Sequence, residues 1–528
     1  MVAVSTIEIS RPPHGAAAFT GARSSMFASE PSSVAHRRCG RKTAWMVFSF
    51  WAVWLGCGPW FSSATAAAEN LTARYDQAHA EFASGLEQLA SWCDEHDLPA
   101  QAAQTRAHRL PTDPFAIYLG KLEPSKASLP ADASDDESQW FERFWQLRAR
   151  QAGVLFKLAQ AAIHAGRVSL AFQLVHETVR QDPEHEAARR LLGYQQFGGE
   201  WLTVYEIRKR RSGQVWHKRF GWIPADQVAA YESGKRLVSG RWVSAEEAAA
   251  RHRDIRHAWR VETEHFVVLT NHSLEAGVAL GTRLEALHRV WWQLFVRYFA
   301  DAAQLEQLFR ARRSPLRNER RHRVIYYRDA RQYEQAMRRY IPPNVKVTSG
   351  IYLNDQRTAY FFHDKTGGPS TIYHEATHQL FSETRPVAQG VGLRTNFWVI
   401  EGIACYMESL TEVEQGDRVG GREAVRLADA RYRALDDRFY VPLGQLVRMG
   451  RDDVQHEPRI AMLYSEFAGL THFLMHAKDG RYRDALTAYL RAVYTGQDQP
   501  ATLAQLTGVP FEQLDRQYHQ YLRATLAP

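Results

Sequence analysis

Residues 371–381, TIYHEATHQLF, place two histidines four positions apart, with a glutamate directly after the first. Gly367-Gly368-Pro369 precedes the stretch and Pro386 follows it, which predicts a helix capped by Ser370 or Thr371 and running to about Glu383. On that helix His374 and His378 lie one turn apart on one face, so both imidazoles reach a single ion. Glu375 is rotated by about 100° around the axis and points beside that ion. These residue types at this spacing suit zinc-assisted hydrolysis, with the glutamate as general base toward water. Composition alone would produce the pattern in roughly one such chain in twenty, so a second element is needed to carry the reading.

The second element is TNFWVIEGIACYMESL (395–410), a helix opened by Thr395 or Asn396. Trp398, Ile400, Ile403, Ala404 and Met407 form an apolar stripe, and Glu401 sits within it. A carboxylate inside an apolar stripe needs a partner. A divalent cation held by His374 and His378 would supply one, since catalytic zinc takes three protein ligands and keeps one position open.

Together, HEATH and WVIEGIACYME resemble the gluzincin metallopeptidases, whose third ligand is the glutamate of an E-G-[FIL]-A-x-[YW]-x-E helix. The nearest likeness is to peptidase-MA-like domains of bacterial envelope proteins, over about residues 260–525. The resemblance implies one Zn2+ per chain on His374, His378 and Glu401, Glu375 as the base, and a peptide or protein substrate. Glu408, seven residues past Glu401 on the same face, is expected as an outer partner of the ligands. Two departures limit what carries over. The loop TRPVAQGVGLR (384–394) is longer and has two extra glycines, and a G-x-M-E-N-like run is absent upstream. Aminopeptidase specificity is therefore not implied.

Other segments are read around that pair. TAYFF (358–362) is expected as the edge strand that pairs with an extended substrate. In IAMLYSEFAGLTHFLMHA (460–477), Tyr464 and His472 are candidates to stabilise an oxyanion, with Tyr464 the first choice, and Glu466 is expected to face solvent or act as a cap. Residues 260–271 alternate like a strand, 273–299 read as a long amphipathic helix, and 350–362 read as two strands around Asn354-Asp355. The Arg-rich stretch 310–323 reads as a solvated connection.

The expected fold class is α+β in four parts: a targeting segment (1–68), a mainly helical region (69–198), a Gly-Trp-rich linker module (199–258), and a zincin-like metallopeptidase domain with a small sheet and the HEATH helix (259–528). The helical region holds one convincing tetratricopeptide-like unit, with Gly166 at its turn and Asp182-Pro183 opening its third helix; it is a packing region or a protein-partner surface. Residues 121–139 should be a flexible loop. In the linker, Trp201, Trp222 and Trp242 are expected to share a small core.

The first segment also decides how the net charge of +8 is read. Six basic and two acidic residues fall in 1–68, so half of the excess belongs to the targeting segment and the rest is too mild to call for a nucleic-acid partner. RRCGRK (37–42), an apolar run at 44–56 too short for a membrane span, and small residues at 62–70 predict export to the periplasm or beyond, by a cleaved signal or an uncleaved N-terminal anchor. Cys93 and Cys405 are expected to be unpaired and semi-buried. Two other readings stand beside a peptidase: a scaffold or binding protein with little turnover, and a zinc hydrolase of a non-peptide amide.

Overall fold

A computed structural model describes residues 60–310, 320–341, 349–364 and 367–526. The targeting segment lies outside the described residues as far as Pro59, as does the Arg-rich stretch from 311 to 319. The chain is mixed α+β, with helices predominating and short strands gathered in small sheets. Among the described residues no helix is long and apolar enough to cross a membrane.

The front of the chain forms helices α1 (Trp60–Glu95), α2 (Pro99–Ala107), α3 (Asp135–His164), α4 (Val168–Gln181) and α5 (Glu186–Leu191). A capping box between Ser134 and Glu137 starts α3 inside the stretch expected as a loop. The start of that loop is tied down: Glu123 receives the buried Arg148 at 2.9 Å. Gly166, at φ +71, turns α3 into α4. His185, not Asp182, caps α5, accepting the Ala188 N–H; Asp182 and Pro183 lie in the turn before it. One strand was not expected here, β1 (Ala116–Gly120), whose partner lies far downstream.

The Gly-Trp theme becomes three hairpins, each followed by a short helix. They are β2 (Tyr194–Phe197) and β3 (Glu200–Thr203) with α6 (Val204–Arg211); β4 (Gln214–His217) and β5 (Gly221–Pro224) with α7 (Val228–Glu232); and β6 (Lys235–Val238) and β7 (Arg241–Ser244) with α8 (Ala245–Arg251). Trp201 and Trp242 sit two residues before the helix-opening positions, where Thr203 and Ser244 accept the N–H of Glu206 and Glu247, whereas a 3-10 turn, Ala225–Gln227, stands between Trp222 and α7. The expected shared tryptophan core is not formed. Trp201 is buried, Trp242 is 44% exposed, and each later Trp meets the preceding unit, Trp222 against Tyr205 and Trp242 against Tyr231. Two-stranded hairpins are too small to enclose a common core, so the aromatics link the units in series.

The next unit holds a five-stranded sheet in the order β11-β12-β10-β9-β8. Its strands are β8 (Trp259–Glu262), β9 (Phe266–Thr270), β10 (His322–Tyr327), β11 (Gly350–Leu353) and β12 (Thr358–Phe362). Strands β9, β10 and β12 run parallel, while β8 and β11 run antiparallel at the two edges. The expected edge strand TAYFF is therefore an inner strand. The 3-10 turn Asn354–Gln356 folds β11 back on its outer side, and β11 takes the edge. Helix α9 (Leu274–Phe299) buries Leu280, Leu284, Leu287, Trp291, Leu294 and Phe295, as its periodicity predicts. Its far end, Val296, joins the core of the front helices.

Beyond the small helices α10 (Ala302–Arg310) and α11 (Ala330–Met337) come α12 (Ser370–Glu383) and α13 (Phe397–Met407), the two motif helices. Strands β13 (Thr411–Val413) and β14 (Gly416–Gly420) follow, and β1 pairs with β14 in register Ala116↔Gly420 to Gly120↔Gly416. Phe115, Ile117 and Leu119 thereby enter the same core as α13. The chain closes with α14 (Val425–Leu435), α15 (Leu443–Leu446), α16 (Arg451–Gln455), α17 (Ile460–Gly480), α18 (Arg483–Thr495), α19 (Thr502–Thr507) and α20 (Phe511–Ala524).

Gly402 sets how closely α13 lies on α17. A Cβ there would sit 2.7 Å from the Phe467 carbonyl oxygen and collide with Thr471 Oγ1. Gly402→Ala is expected to destabilise the fold by about 1–3 kcal/mol, the usual cost of overpacking against backbone that cannot yield. Urea unfolding of both proteins measures it; an unchanged midpoint would show that the helices separate freely.

Candidate metal centre

Helix α12 begins at Ser370 itself, with Pro369 rather than Ser370 or Thr371 in the cap position and no side-chain cap bond. Burial against α13 and β11 holds it instead, and it ends at Glu383 as expected. Asn396, in the left-handed region at φ 58, starts α13 without capping it. Its side chain reaches Asp498 Oδ2 at 2.5 Å and accepts from the Tyr489 hydroxyl, tying the start of α13 to α18 and the loop after it.

These anchors bring His374, His378 and Glu401 together with their ligand-type atoms within 4.8 Å of one another. His374 Nε2 lies 3.2 Å from His378 Nε2 and 3.4 Å from Glu401 Oε2, and His378 Nε2 lies 3.7 Å from Glu401 Oε1. Two atoms each about 2.1 Å from a shared tetrahedral zinc stand about 3.4 Å apart, so this triangle fits such an ion. His374, His378 and Glu401 are all buried, Glu401 completely. Burial pushes the Glu401 carboxyl up, but the facing imidazoles of His378 and His374 prevail and hold it at about 2.

Glu408 lies behind His374. Its Oε1 lies 2.8 Å from His374 Nδ1, and Arg426 of α14 grips both carboxylate oxygens at 3.0 Å. With Nδ1 turned to Glu408, His374 presents Nε2 to the centre. Burial works against the Glu408 charge, while His374 and Arg426 outweigh it and keep the carboxyl below its usual range. Arg426 was not anticipated, and no spacing signal marks it. Cys405 Sγ is 4.0 Å from His374 Nδ1; Cys405 and Cys93 are both free and buried.

Glu375 is fully buried, and its Oε2 accepts the Tyr352 backbone N–H of edge strand β11 at 2.9 Å. Its Oε1 is buried with no hydrogen-bond partner among the described residues. Desolvation raises the carboxyl above its ordinary value, against the pull of His374 and His378. Tyr464 is also buried, with its hydroxyl beside Glu401; burial and the Glu401 and Glu375 charges raise its pKa.

Two residues of α17 sit elsewhere. His472 Nδ1 lies 2.6 Å from the Tyr521 hydroxyl and its ring packs on His476, so it belongs to the core beside α20. Glu466, expected to face solvent or cap a helix, is 3% exposed and accepts the Val441 N–H through both oxygens. Burial raises its pKa well above the carboxylate range. Between an unfolded pKa of about 4.3 and that higher folded value, the folded state holds the extra proton, so stability falls as pH rises. Glu466→Gln keeps an acceptor for Val441 and is expected to raise the melting temperature at pH 7 but not at pH 4. Equal effects at both pH values would remove the titration as the cause.

A family model described as "Protein of unknown function (DUF1570)" matches residues 369–498. The matched segment runs from α12 through α18 and contains His374, Glu375, His378, Glu401, Glu408, Arg426 and Tyr464. No curated protein and no solved structure matches the chain.

Proposed function

We propose that the chain is a zinc-dependent metallopeptidase of the gluzincin kind, with the five-stranded sheet, α12 and α13 as its zincin-like core. The observation that carries this reading is the convergence of His374, His378 and Glu401, with the buried Glu375 and Tyr464 close enough to interact with the charges of the same group. The donor set, two imidazoles and one carboxylate with a second carboxylate behind His374, suits zinc. One such ion, when bound, would polarise a carbonyl and make water a usable nucleophile near neutral pH.

The chain's own groups do the rest. Glu375 Oε1 takes the proton from the attacking water and passes it toward the leaving amine, while Tyr352 N–H fixes Oε2. The Tyr464 hydroxyl donates to the oxygen on which negative charge develops. Strand β11, antiparallel at the sheet edge and joined to Glu375, is the element along which an extended peptide would align. The helical front region, with its tetratricopeptide-like helix pair, is a surface for a protein substrate or partner. Export to the cell envelope follows from the reading of residues 1–68.

The test uses the full chain stripped of metal, reloaded with zinc, and offered a mixed-peptide library. Cleavage that needs zinc, and that falls about 10²–10³-fold in kcat with little change in KM for Tyr464→Phe, is expected. A zinc-loaded protein inactive on every peptide would favour a scaffold, or a hydrolase of a non-peptide amide.

A further inference from the structure

The three hairpin units hold the surplus positive charge of the chain. Residues 194–253 carry eleven basic and six acidic side chains, a net +5. The whole chain after residue 68 totals only +4, the +8 of the full sequence less the +4 of residues 1–68. The remainder of that length is therefore slightly acidic, and a mild overall balance hides a local excess.

The basic residues gather where helices end and hairpins turn. Helix α6 ends in Arg208-Lys209-Arg210-Arg211 and folds back on its own hairpin: Arg210 meets Glu200 at 3.2 Å, and the Arg211 guanidinium lies 5.4 Å from the centre of the Phe197 ring. In the second unit Lys218 and Arg219 lie in the turn between β4 and β5. In the third, Lys235 opens β6, Arg241 opens β7, and α8 ends in Arg251 with Arg253 just beyond. Arg210, Arg219 and Arg251 pair with Glu200, Glu275 and Glu247. Among the described residues Arg208, Arg211, Lys218, Lys235, Arg241 and Arg253 are exposed and form no ion pair. The dipole of α6 accounts for Arg208 and Arg211 in its last turn. Lys218, Lys235 and Arg241 stand in a turn and at strand starts, where no helix dipole calls for a cation.

Tryptophan comes to the surface at the same places. Trp216 stands two residues before Lys218, and Trp242 directly follows Arg241. They are 38% and 44% exposed, and no other tryptophan among the described residues is exposed. An indole packs on the C–H face of a sugar ring, and a guanidinium or ammonium pairs with a carboxylate. A polymer of acidic sugars offers both, a ring face and a carboxylate in each unit. Duplex nucleic acid is the poorer match: it sets a charge about every 1.7 Å, whereas these cations are divided among three separate units.

We propose that the hairpin array is a docking surface for an acidic polysaccharide of the uronate type. Trp216 and Trp242 stack on sugar rings, and Lys218, Lys235 and Arg241 pair with carboxylates. Units joined in series suit a repeating polymer, because each further contact forms at the high local concentration set by the first. The surface shares no residue with the α12/α13 centre and does not depend on it.

The experiment measures binding of the full chain to polygalacturonate, to neutral dextran and to single-stranded DNA at equal salt. Polygalacturonate is expected to bind tightest, and more weakly as salt rises. Lys218→Gln/Lys235→Gln/Arg241→Gln should lose about tenfold or more in affinity and show a shallower salt dependence, since fewer charges are paired. Trp216→Ala/Trp242→Ala should lose about fivefold or more with the salt dependence unchanged, as removal of a stacking partner does. The Lys/Arg substitutions are all at exposed positions, so that variant decides should the tryptophan variant fail to fold. Polygalacturonate bound no tighter than dextran would overturn the proposal, as would wild-type affinity in either folded variant. Tighter binding to DNA than to polygalacturonate would do the same and give the surface to nucleic acid. A chain that holds no zinc at α12 and α13 leaves every one of these outcomes unchanged, so the two readings fail separately.

Discussion

Glu375→Gln is expected to lower kcat for peptide cleavage by about 10²–10⁴-fold, the range a positioned general base supplies, with zinc content unchanged. Glutamine has the same shape and keeps an oxygen for the Tyr352 N–H that Oε2 now accepts. The difference falls on the other atom. Among the described residues Oε1 is a buried acceptor with no partner, and an amide NH2 in its place can donate but cannot take a proton. Burial also raises the Glu375 carboxyl above its ordinary value, which moves its basicity toward neutral pH. A variant that loses zinc along with activity would show that Glu375 holds the ion rather than the proton. A variant with wild-type turnover would remove the base assignment altogether.

The parts of this site that sequence reveals are those carried by local periodicity. His374 and His378 share a face because they are four residues apart, and Glu401 stands out because its helix is otherwise an apolar stripe. The same logic finds α9 and the hairpin around Asn354. What it misses depends on long-range pairing. AIYLG at 116–120 is a short run in a helical region, and only its pairing with 416–420 makes it a strand. TAYFF and GIYL are equally apolar, so nothing local says which takes the edge; the turn between them decides. Arg426 reaches Glu408 from another helix, and the Tyr352 contact to Glu375 is made by backbone, which carries no residue signature.

Glu401→Ala should remove the zinc itself. The side chain is completely buried, and its carboxylate faces both motif histidines at 3.4 and 3.7 Å. Without it, two imidazoles remain, a set that lacks the only anion in the triangle. Loss of an outer partner of a metal ligand typically costs about 10–100-fold in affinity, and an effect toward the low end is expected of Glu408→Gln, which replaces the charged acceptor at His374 Nδ1 by a neutral one. Removal of a ligand must cost more, so zinc affinity in Glu401→Ala should fall by more than about 100-fold and peptide cleavage with it. Thermal unfolding separates this from general damage. A ligand that binds only the folded state adds RT ln(1 + [L]/Kd) to its stability, so wild type should melt higher with zinc and Glu408→Gln less so. Glu401→Ala should show the smallest zinc-dependent rise, whatever its apo melting temperature. If Glu401→Ala instead binds zinc as tightly as wild type, the ion is not held between α12 and α13, and the HEATH helix returns to being a helix with two facing histidines.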